Sequence, residues 1–142
     1  AFHDGPVIAS HSNCRALADT MRNLTDDQIR TLAGRGGLLG MNSCSTFVGD
    51  TEHATMTEVE LANHADHIRH IAGAQAVGFG FDFCDESRDF SGPGPFANYD
   101  CVKGHANMPL LTEQLLLRGY SEQEIEGILG GNLLRFLRST IG

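Results

Sequence analysis

The sequence predicts an α/β fold built on a parallel β-sheet. Three short apolar runs, at residues 6–10, 37–41 and 76–81, lack the polar–apolar alternation of a half-exposed strand. Such runs are typical of strands that are covered on both faces, as in parallel sheets. Helical segments separate the runs, and two further helices follow the third run. This order of strands and helices is typical of βα units.

Start signals place the helices along the chain. A Thr or Ser followed three residues later by Gln or Glu has the spacing of a capping box, in which each side chain bonds the other residue's backbone N–H. Three such pairs open predicted helices: Thr25/Gln28, Thr57/Glu60 and Ser121/Glu124. We expect the first helix to end at the glycines of 34–37 and the second to end near residue 72. A further helix is predicted over 108–118, and regularly spaced apolar residues extend the last helix to residue 137.

Composition limits the classes of function. The chain has 142 residues, 41% of them hydrophobic, which suffices for one domain with a core. A net charge of −8, without a cluster of Lys and Arg, argues against binding to nucleic acid or to an anionic membrane. No apolar run approaches the roughly 20 residues of a membrane span. The 4 cysteines are too few for a disulfide scaffold, so we expect reduced thiols and a cytoplasmic location.

Polar side chains follow the predicted strands. His11, Asn42 and Asp82 each come directly after one of the apolar runs. The carboxyl ends of parallel strands form the ligand-binding edge in α/β folds. A His there can ligate a metal or move a proton, and an Asp can ligate or act as a general base. The alternative is that each side chain only satisfies backbone groups at a strand end, and spacing alone leaves both interpretations open.

Two other groups of residues have metal-ligating side chains. One predicted helix carries three histidines, at spacings of three: His64, His67 and His70. Charged residues surround them, so a solvated helix face is favoured over a metal site. Three cysteines come shortly after the strand ends: Cys14, Cys44 and Cys84. Free thiols near a pocket are the favoured interpretation, with a soft-metal site or a disulfide as the alternative.

Several short blocks of sequence occur in a characteristic order. The blocks are PVIASHS at 6–12, RNLTDD at 22–27, GGLLGMN at 36–42, DHI at 66–68, VGFGFDF at 77–83, GYS at 119–121 and ILGGNLLR at 128–135. In this order they resemble the membrane (renal) dipeptidase family of zinc peptidases. No single block is decisive, but together they cover essentially the whole chain in family order. The resemblance implies a (β/α)8 barrel that cleaves dipeptides with two zinc ions.

The resemblance also implies roles for individual residues. It assigns His11 as a ligand of the second zinc ion, Arg22 as the residue that holds the free carboxylate of the substrate, and Asp82 as the acid/base that handles the proton of the attacking water. We further predict that Asn42 binds substrate. The chemistry agrees with these roles, since a neutral imidazole suits zinc and a guanidinium forks onto a carboxylate. A carboxylate beside a zinc-acidified water can accept its proton.

The chain also departs from the family pattern. The family's remaining zinc ligands lie upstream of anything in this sequence, so residues 1–142 correspond to a single partial domain, the C-terminal portion of the barrel with about three of its eight βα units. The His64-Ala65-Asp66 triplet lies inside a predicted helix and is not the family's ligand pair. The family's Asp-Phe-Asp-Gly is replaced here by Asp82-Phe83-Cys84-Asp85.

Three parallel strands cannot close into a barrel, so we expect open strand edges. A missing N-terminal segment or another chain, including a second copy in a homo-oligomer, would cover them. The leading hypothesis is a zinc-dependent dipeptidase to whose active site this chain contributes part. The alternatives are a non-catalytic assembly module with the same fold, and another amide- or lactone-cleaving metal hydrolase on the same barrel.

Overall fold

A computed structural model of the chain describes residues 5–83 and 98–142. Among these residues, one α-helix lies between the first two strands, two lie between the second and third strands, and three follow the third strand. The elements are β1 (Ile8–Ser12), α1 (Asp26–Gly34), β2 (Leu38–Met41), α2 (Ser45–Val48), α3 (Glu58–Ala72), β3 (Val77–Phe79), α4 (Met108–Leu117), α5 (Glu122–Glu126) and α6 (Asn132–Ile141). In these residues no helix is both long and apolar enough to cross a membrane.

The predicted parallel sheet is confirmed. Its strands lie in the order β1-β2-β3, and both neighbouring pairs are parallel. The bounds of β1 differ from the prediction, because the strand begins at Ile8 and continues through the polar residues His11 and Ser12. An edge strand with one exposed face tolerates polar residues, and Ser12 still pairs with Met41. His11 therefore lies within β1 and not in the loop after it.

The three predicted capping boxes are confirmed. Thr25, Thr57 and Ser121 each accept a hydrogen bond from a backbone N–H in the first turn of the helix that follows. The Gln or Glu three residues later bonds back to the backbone of the capping residue in each case. These local signals set the starts of α1, α3 and α5 to within one residue of the prediction.

The single helix predicted from residue 121 to 137 is wrong. A π-helical segment, Gly127–Gly131, separates α5 from α6. The glycines of this segment weaken a regular helix, and the Asn132 side chain leaves the helix to bond elsewhere. Its Nδ2 donates to the carbonyls of Ala74 at 2.9 Å and Val77 at 2.8 Å. α6 is thereby fixed at the amino end of β3.

The main core fills one face of the sheet. Leu39 and Met41 of β2 and Val77 of β3 point to this face and are fully buried. Helices α1, α3 and α4 cover it with apolar side chains, which include Ile29, Leu61, Ala65, Ile68, Leu111 and Leu115. The opposite face, called the open face below, carries the alternate residues of the strands. Ile8 on β1 is 41% exposed, so part of the sheet lacks a cover within the described residues.

Candidate active site

His11, Asn42 and Asp82 lie at the carboxyl edge of the sheet. His11 is the fourth residue of β1, Asn42 follows the last residue of β2, and Asp82 lies three residues after β3. Because the strands are parallel, their carboxyl ends meet at one edge, as the sequence predicts. His11 and Asp82 are exposed, whereas Asn42 is buried. An imidazole and a carboxylate are therefore presented on the same edge.

The backbone turns sharply at Asp82. Its φ of 52° lies in the left-handed region, and no other non-glycine residue in the described ranges has a positive φ. An Asp tolerates this conformation better than most residues, because its short polar side chain can bond locally. The carbonyl of Phe81, just before the turn, accepts a 2.9 Å hydrogen bond from the Ser43 N–H. The turn that directs the Asp82 carboxylate is thus anchored to the chain after β2.

The Asn42 side chain links Asp82 to that same chain segment. Its Nδ2 donates to Asp82 Oδ2 across 3.5 Å, a long hydrogen bond. Its Oδ1 accepts from the Cys44 N–H at 2.7 Å, which fixes the end of the amide that faces Asp82. Asn42 is 0% exposed, so the contacts seen place it behind Asp82. Its assignment to substrate binding stays a prediction.

Asn13 is a buried residue to which the sequence analysis gave no role. Its Oδ1 accepts from the Asn42 N–H at 3.1 Å, and its Nδ2 donates to the Asn42 carbonyl at 3.0 Å. The same Nδ2 donates to the Phe47 carbonyl at 3.0 Å. Asn13 therefore ties the end of β1 to the end of β2 beneath the site. The sequence signal that could have identified it is an asparagine after each of these two strands.

His11 has one ring nitrogen bonded and the other open. Its Nδ1 lies 2.8 Å from Ser10 Oγ. No residue in the described ranges bonds its Nε2, and the ring is exposed. An imidazole with a partner on one nitrogen and a free second nitrogen is the usual arrangement of a metal-ligating histidine. The structure places no bond between His11 and Asp82.

Arg22 lies in the loop between β1 and α1. Its carbonyl accepts a 2.7 Å hydrogen bond from Ser12 Oγ, and its guanidinium carbon lies 5.1 Å from the centre of the Phe47 ring. The next residue, Asn23, is buried, and its Nδ2 donates to the carbonyls of Ala18 and Phe47 at 2.9 Å each. The loop backbone is therefore anchored close to the end of β1, while the charged end of Arg22 stays exposed.

His64 corrects the prediction of a solvated histidine face on α3. It is 0% exposed, its Nδ1 accepts from the Cys14 N–H at 3.1 Å, and its Nε2 donates to the Val48 carbonyl at 2.8 Å. Burial lowers its pKa to about 4, so the ring is neutral near pH 7. His67 pairs with Asp26 at 2.7 Å. The sequence missed this because the partners of His64 lie 16 and 50 residues away.

The cysteines in the described ranges are buried thiols. Cys14, Cys44 and Cys101 are free and buried. Burial raises the pKa of Cys14 to about 12, with a further contribution from Asp26. Burial likewise raises the pKa of Cys101. Thiolates are strongly disfavoured at both positions, which argues against a nucleophilic role. Cys84 lies outside the described residues.

The described residues fit only part of a metal centre. Within 5–83 and 98–142, no three His, Cys, Asp or Glu side chains are grouped so that they could hold a metal ion. His11 Nε2 suits one ligand position, whereas catalytic zinc sites use three protein ligands. A metal at this edge would therefore need ligands from outside these residues.

Comparisons with known proteins give the family. Residues 2–141 match the sequence profile described as membrane dipeptidase, peptidase family M19. The chain is 35% identical over 139 residues to dipeptidase 3 of Mus musculus. The aligned region covers 94% of this chain and 25% of that protein. It thus spans about a quarter of the length of this curated relative.

Two solved structures have a similar fold. A metallo peptidase from Rhodobacter sphaeroides, solved with a phosphinate mimic of the dipeptide L-Ala-D-Ala, superposes with a TM-score of 0.79 at 26% identity, over 96% of this chain and 37% of that chain. An amidohydrolase from Pseudomonas aeruginosa gives a TM-score of 0.79 at 25% identity, over 95% of this chain and 46% of that chain. Because the family match extends over nearly every residue, the chain belongs to the membrane dipeptidase family, peptidase family M19.

Proposed function

We propose that this chain is the C-terminal part of a (β/α)8 barrel and that the complete protein is a zinc-dependent dipeptidase. The observation that carries the proposal is the placement of His11 and Asp82 on one carboxyl edge of a parallel sheet, in a chain of this family. In such barrels the carboxyl edge of the strands carries the chemistry. The amino edge is occupied by α6, which agrees with this polarity.

The proposed barrel explains the incomplete sheet. Three strands supply less than half of an eight-stranded barrel, and the chain covers 37% and 46% of two solved structures with a similar fold. A parallel strand edge with unpaired N–H and C=O groups invites another strand. We infer that a further segment or subunit pairs with β1 and β3. The term assembled protein below means this chain together with that completing part.

Each of the site residues would have a separate chemical role. His11 would hold a metal ion through Nε2, and the remaining ligands of a binuclear site would come from the completing part. When bound there, zinc would supply Lewis-acid chemistry that acidifies a water and polarises a carbonyl. Asp82 would accept the proton of that water and pass it to the leaving amine. Asn42, buried behind Asp82, would orient the carboxylate through the contact between them.

Arg22 would recognise the end of the substrate. A guanidinium can hold a carboxylate through two parallel hydrogen bonds, which selects a free C-terminus. The Phe47 ring supports the guanidinium from one side, and the exposed tip is available to a ligand. The R. sphaeroides relative was solved with a dipeptide mimic, which supports a dipeptide as the substrate here.

Hydrolysis assays on the assembled protein test the proposal. We expect hydrolysis of dipeptides, loss of activity on removal of metal by a chelator, and recovery on return of zinc. Substrates with an amidated C-terminus should react far more slowly. Hydrolysis of lactones or cyclic amides in preference to dipeptides would instead support a different metal hydrolase on the same barrel.

A second candidate is a non-catalytic assembly module with the dipeptidase fold. The partial ligand set within the described residues favours it. Metal content separates the two candidates, because a working binuclear site needs two zinc ions per assembled protein and a module needs none.

A further inference from the structure

The strand that carries His11 is irregular at that point. Between Ala9 and Ser12 the register of β1 against β2 shifts, because β1 uses one residue more than β2 over that stretch. An extra residue of this kind is a β-bulge, and bulges beside functional sites re-aim a side chain. The bulge falls on Ser10 and His11, so the direction of His11 depends on where the Ser10 backbone lies.

Two glycines make room for the Ser10 backbone on the open face. Gly40 of β2 and Gly80 after β3 are neighbours, since a Cβ on either would lie 3.2 Å from the Cα of the other. A Cβ on either glycine would also collide with the carbonyl oxygen of Ser10. Glycine allows such a close approach of one backbone to another. The Ser10 carbonyl is therefore seated on the pair Gly40 and Gly80.

Gly78 shows that this crowding is specific. It lies on the same face of β3, two residues before Gly80. The three atoms nearest to a Cβ there would all belong to the Leu38 side chain, at 3.2–3.3 Å. A flexible leucine side chain can move by the few tenths of an ångström required, whereas the Ser10 carbonyl can move only together with β1.

The side chain of Ser10 acts on His11 directly. Ser10 Oγ lies 2.8 Å from His11 Nδ1, on the ring nitrogen opposite the open Nε2. A partner on the second nitrogen fixes the tautomer and the ring orientation of a ligating histidine. With Nδ1–H donating to Ser10 Oγ, the lone pair of the ring lies on Nε2.

We propose that Ser10 is a positioning residue for His11, through its carbonyl seated on Gly40 and Gly80 and its hydroxyl bonded to Nδ1. This inference rests on the proposed function in so far as His11 is a metal ligand. The geometric part does not require a metal, since it concerns only where Ser10 and the glycine pair hold the His11 ring.

Zinc affinity is the first test. Zinc is titrated into metal-free assembled protein in competition with a chromogenic chelator, for wild type, Ser10→Ala, Ser10→Thr and His11→Ala. We expect Ser10→Ala to weaken zinc binding by about 10- to 100-fold, as is usual for the partners of ligating histidines. Ser10→Thr keeps the hydroxyl and should bind zinc nearly as wild type does.

A double variant separates positioning from general stability. In the His11→Ala background, Ser10→Ala should weaken zinc binding no further, because its effect passes through His11. A purely structural effect of Ser10 would add to that of His11→Ala. Unchanged zinc affinity in Ser10→Ala, or additive losses in the double variant, would overturn the proposal.

The glycine pair supplies a test that needs no metal. Gly80→Ala and Gly78→Ala add the same methyl group to the same face, and only the first collides with Ser10. With histidine-labelled protein, we expect the NMR signals of the His11 ring to shift in Gly80→Ala and in Ser10→Ala, but not in Gly78→Ala.

If Gly80→Ala fails to fold, the comparison of Ser10→Ala with Ser10→Thr decides the question by the same signals. If wild type binds no zinc, the proposed function fails, and unmoved His11 signals in Ser10→Ala would refute the positioning role separately.

Discussion

Asp82 is exposed, but buried neighbours set its direction. The left-handed turn at this residue, the Ser43 hydrogen bond before it and the Asn42 amide behind it act on the carboxylate from separate parts of the chain. Only one side of the carboxylate has a partner in the described residues, so the other side is available to a water or a substrate amine. This arrangement suits a group that accepts a proton and then donates it.

In the assembled protein, Asp82→Asn should lower kcat far more than it raises KM. The amide keeps the size of the carboxylate and loses the ability to take a proton, and general acid–base catalysis contributes about 10²- to 10⁴-fold. Steady-state kinetics on a dipeptide measure both parameters. A kcat equal to that of wild type would remove Asp82 from the proton-transfer step.

Arg22→Ala should act mainly on KM. Charge-assisted hydrogen bonds contribute about 1.5–3 kcal/mol each, so loss of the guanidinium should raise KM for free dipeptides by at least about tenfold. Arg22→Lys is the matched control, since it keeps the charge and loses the two-pronged geometry. Equal losses on C-terminally amidated substrates would contradict recognition of the substrate carboxylate.

At the scale of elements, His64 joins three parts of the fold. From α3 it bonds the backbone after β1 and the last residue of α2. Both partners lie next to segments that carry site residues, because Cys14 follows Asn13 and Val48 follows Phe47. The neutral ring satisfies one donor and one acceptor that would otherwise be buried without partners, and each such loss costs about 1–3 kcal/mol.

The stability of the assembled protein should therefore fall in mild acid. The pKa of His64 is 6.5 in an unfolded chain and about 4 in the folded chain, because burial disfavours the charged ring. Between these pH values the unfolded chain binds a proton that the folded chain does not. The free energy of unfolding should thus decrease as the pH falls from about 6.5 to 4, by about 3 kcal/mol in total.

Urea unfolding at several pH values in this window measures the effect. His64→Gln is the comparison, since it cannot titrate but keeps a polar side chain. Every other side chain is the same in the two proteins, so the difference between their pH slopes isolates the contribution of His64. Identical slopes would show that His64 does not control the acid response.

The sequence predicted those elements whose causes are local. The capping boxes at Thr25, Thr57 and Ser121 act within one turn of helix, and all three helix starts were correct. The break at Gly127–Gly131 was missed because it depends on the bonds from Asn132 to carbonyls 55 and 58 residues away. Burial of His64 was missed for the same reason.

The same distinction between local and long-range causes applies to the candidate site. Parallel strands with polar residues at their carboxyl ends were enough to predict that His11, Asn42 and Asp82 share an edge. The sequence could not predict the contacts beneath these residues, such as the two hydrogen bonds between the Asn13 side chain and the Asn42 backbone. These bonds form only when β1 and β2 pair and bring together residues 29 positions apart. Family resemblance supplied the roles of the residues, and periodicity alone did not.

At the scale of the whole molecule, exposed apolar residues lie at the edge strand β1 and on α6. Ile8 and Val7 at the edge strand are 41% and 37% exposed. On α6, Leu134 is 53% exposed and Ile141 is 81% exposed. α6 and the start of β1 border the same groove. Uncovered apolar surface of this kind marks an interaction site or an aggregation hazard. A net charge of −8 opposes association of identical chains, but salt screens this repulsion beyond about 8 Å.

Native mass spectrometry of the protein from its natural source should therefore find this chain with a partner. We expect either one longer polypeptide that contains this sequence or a complex of this chain with a second chain, carrying two zinc ions per active site. Either form would cover the edges of β1 and β3 and would supply the further ligands that the proposed metal site on His11 requires. Copies of this chain alone, without metal, would support the assembly module in place of the enzyme. A stable monomer of residues 1–142 at high concentration would contradict the open-edge argument itself, because it would show that three parallel strands need no further cover.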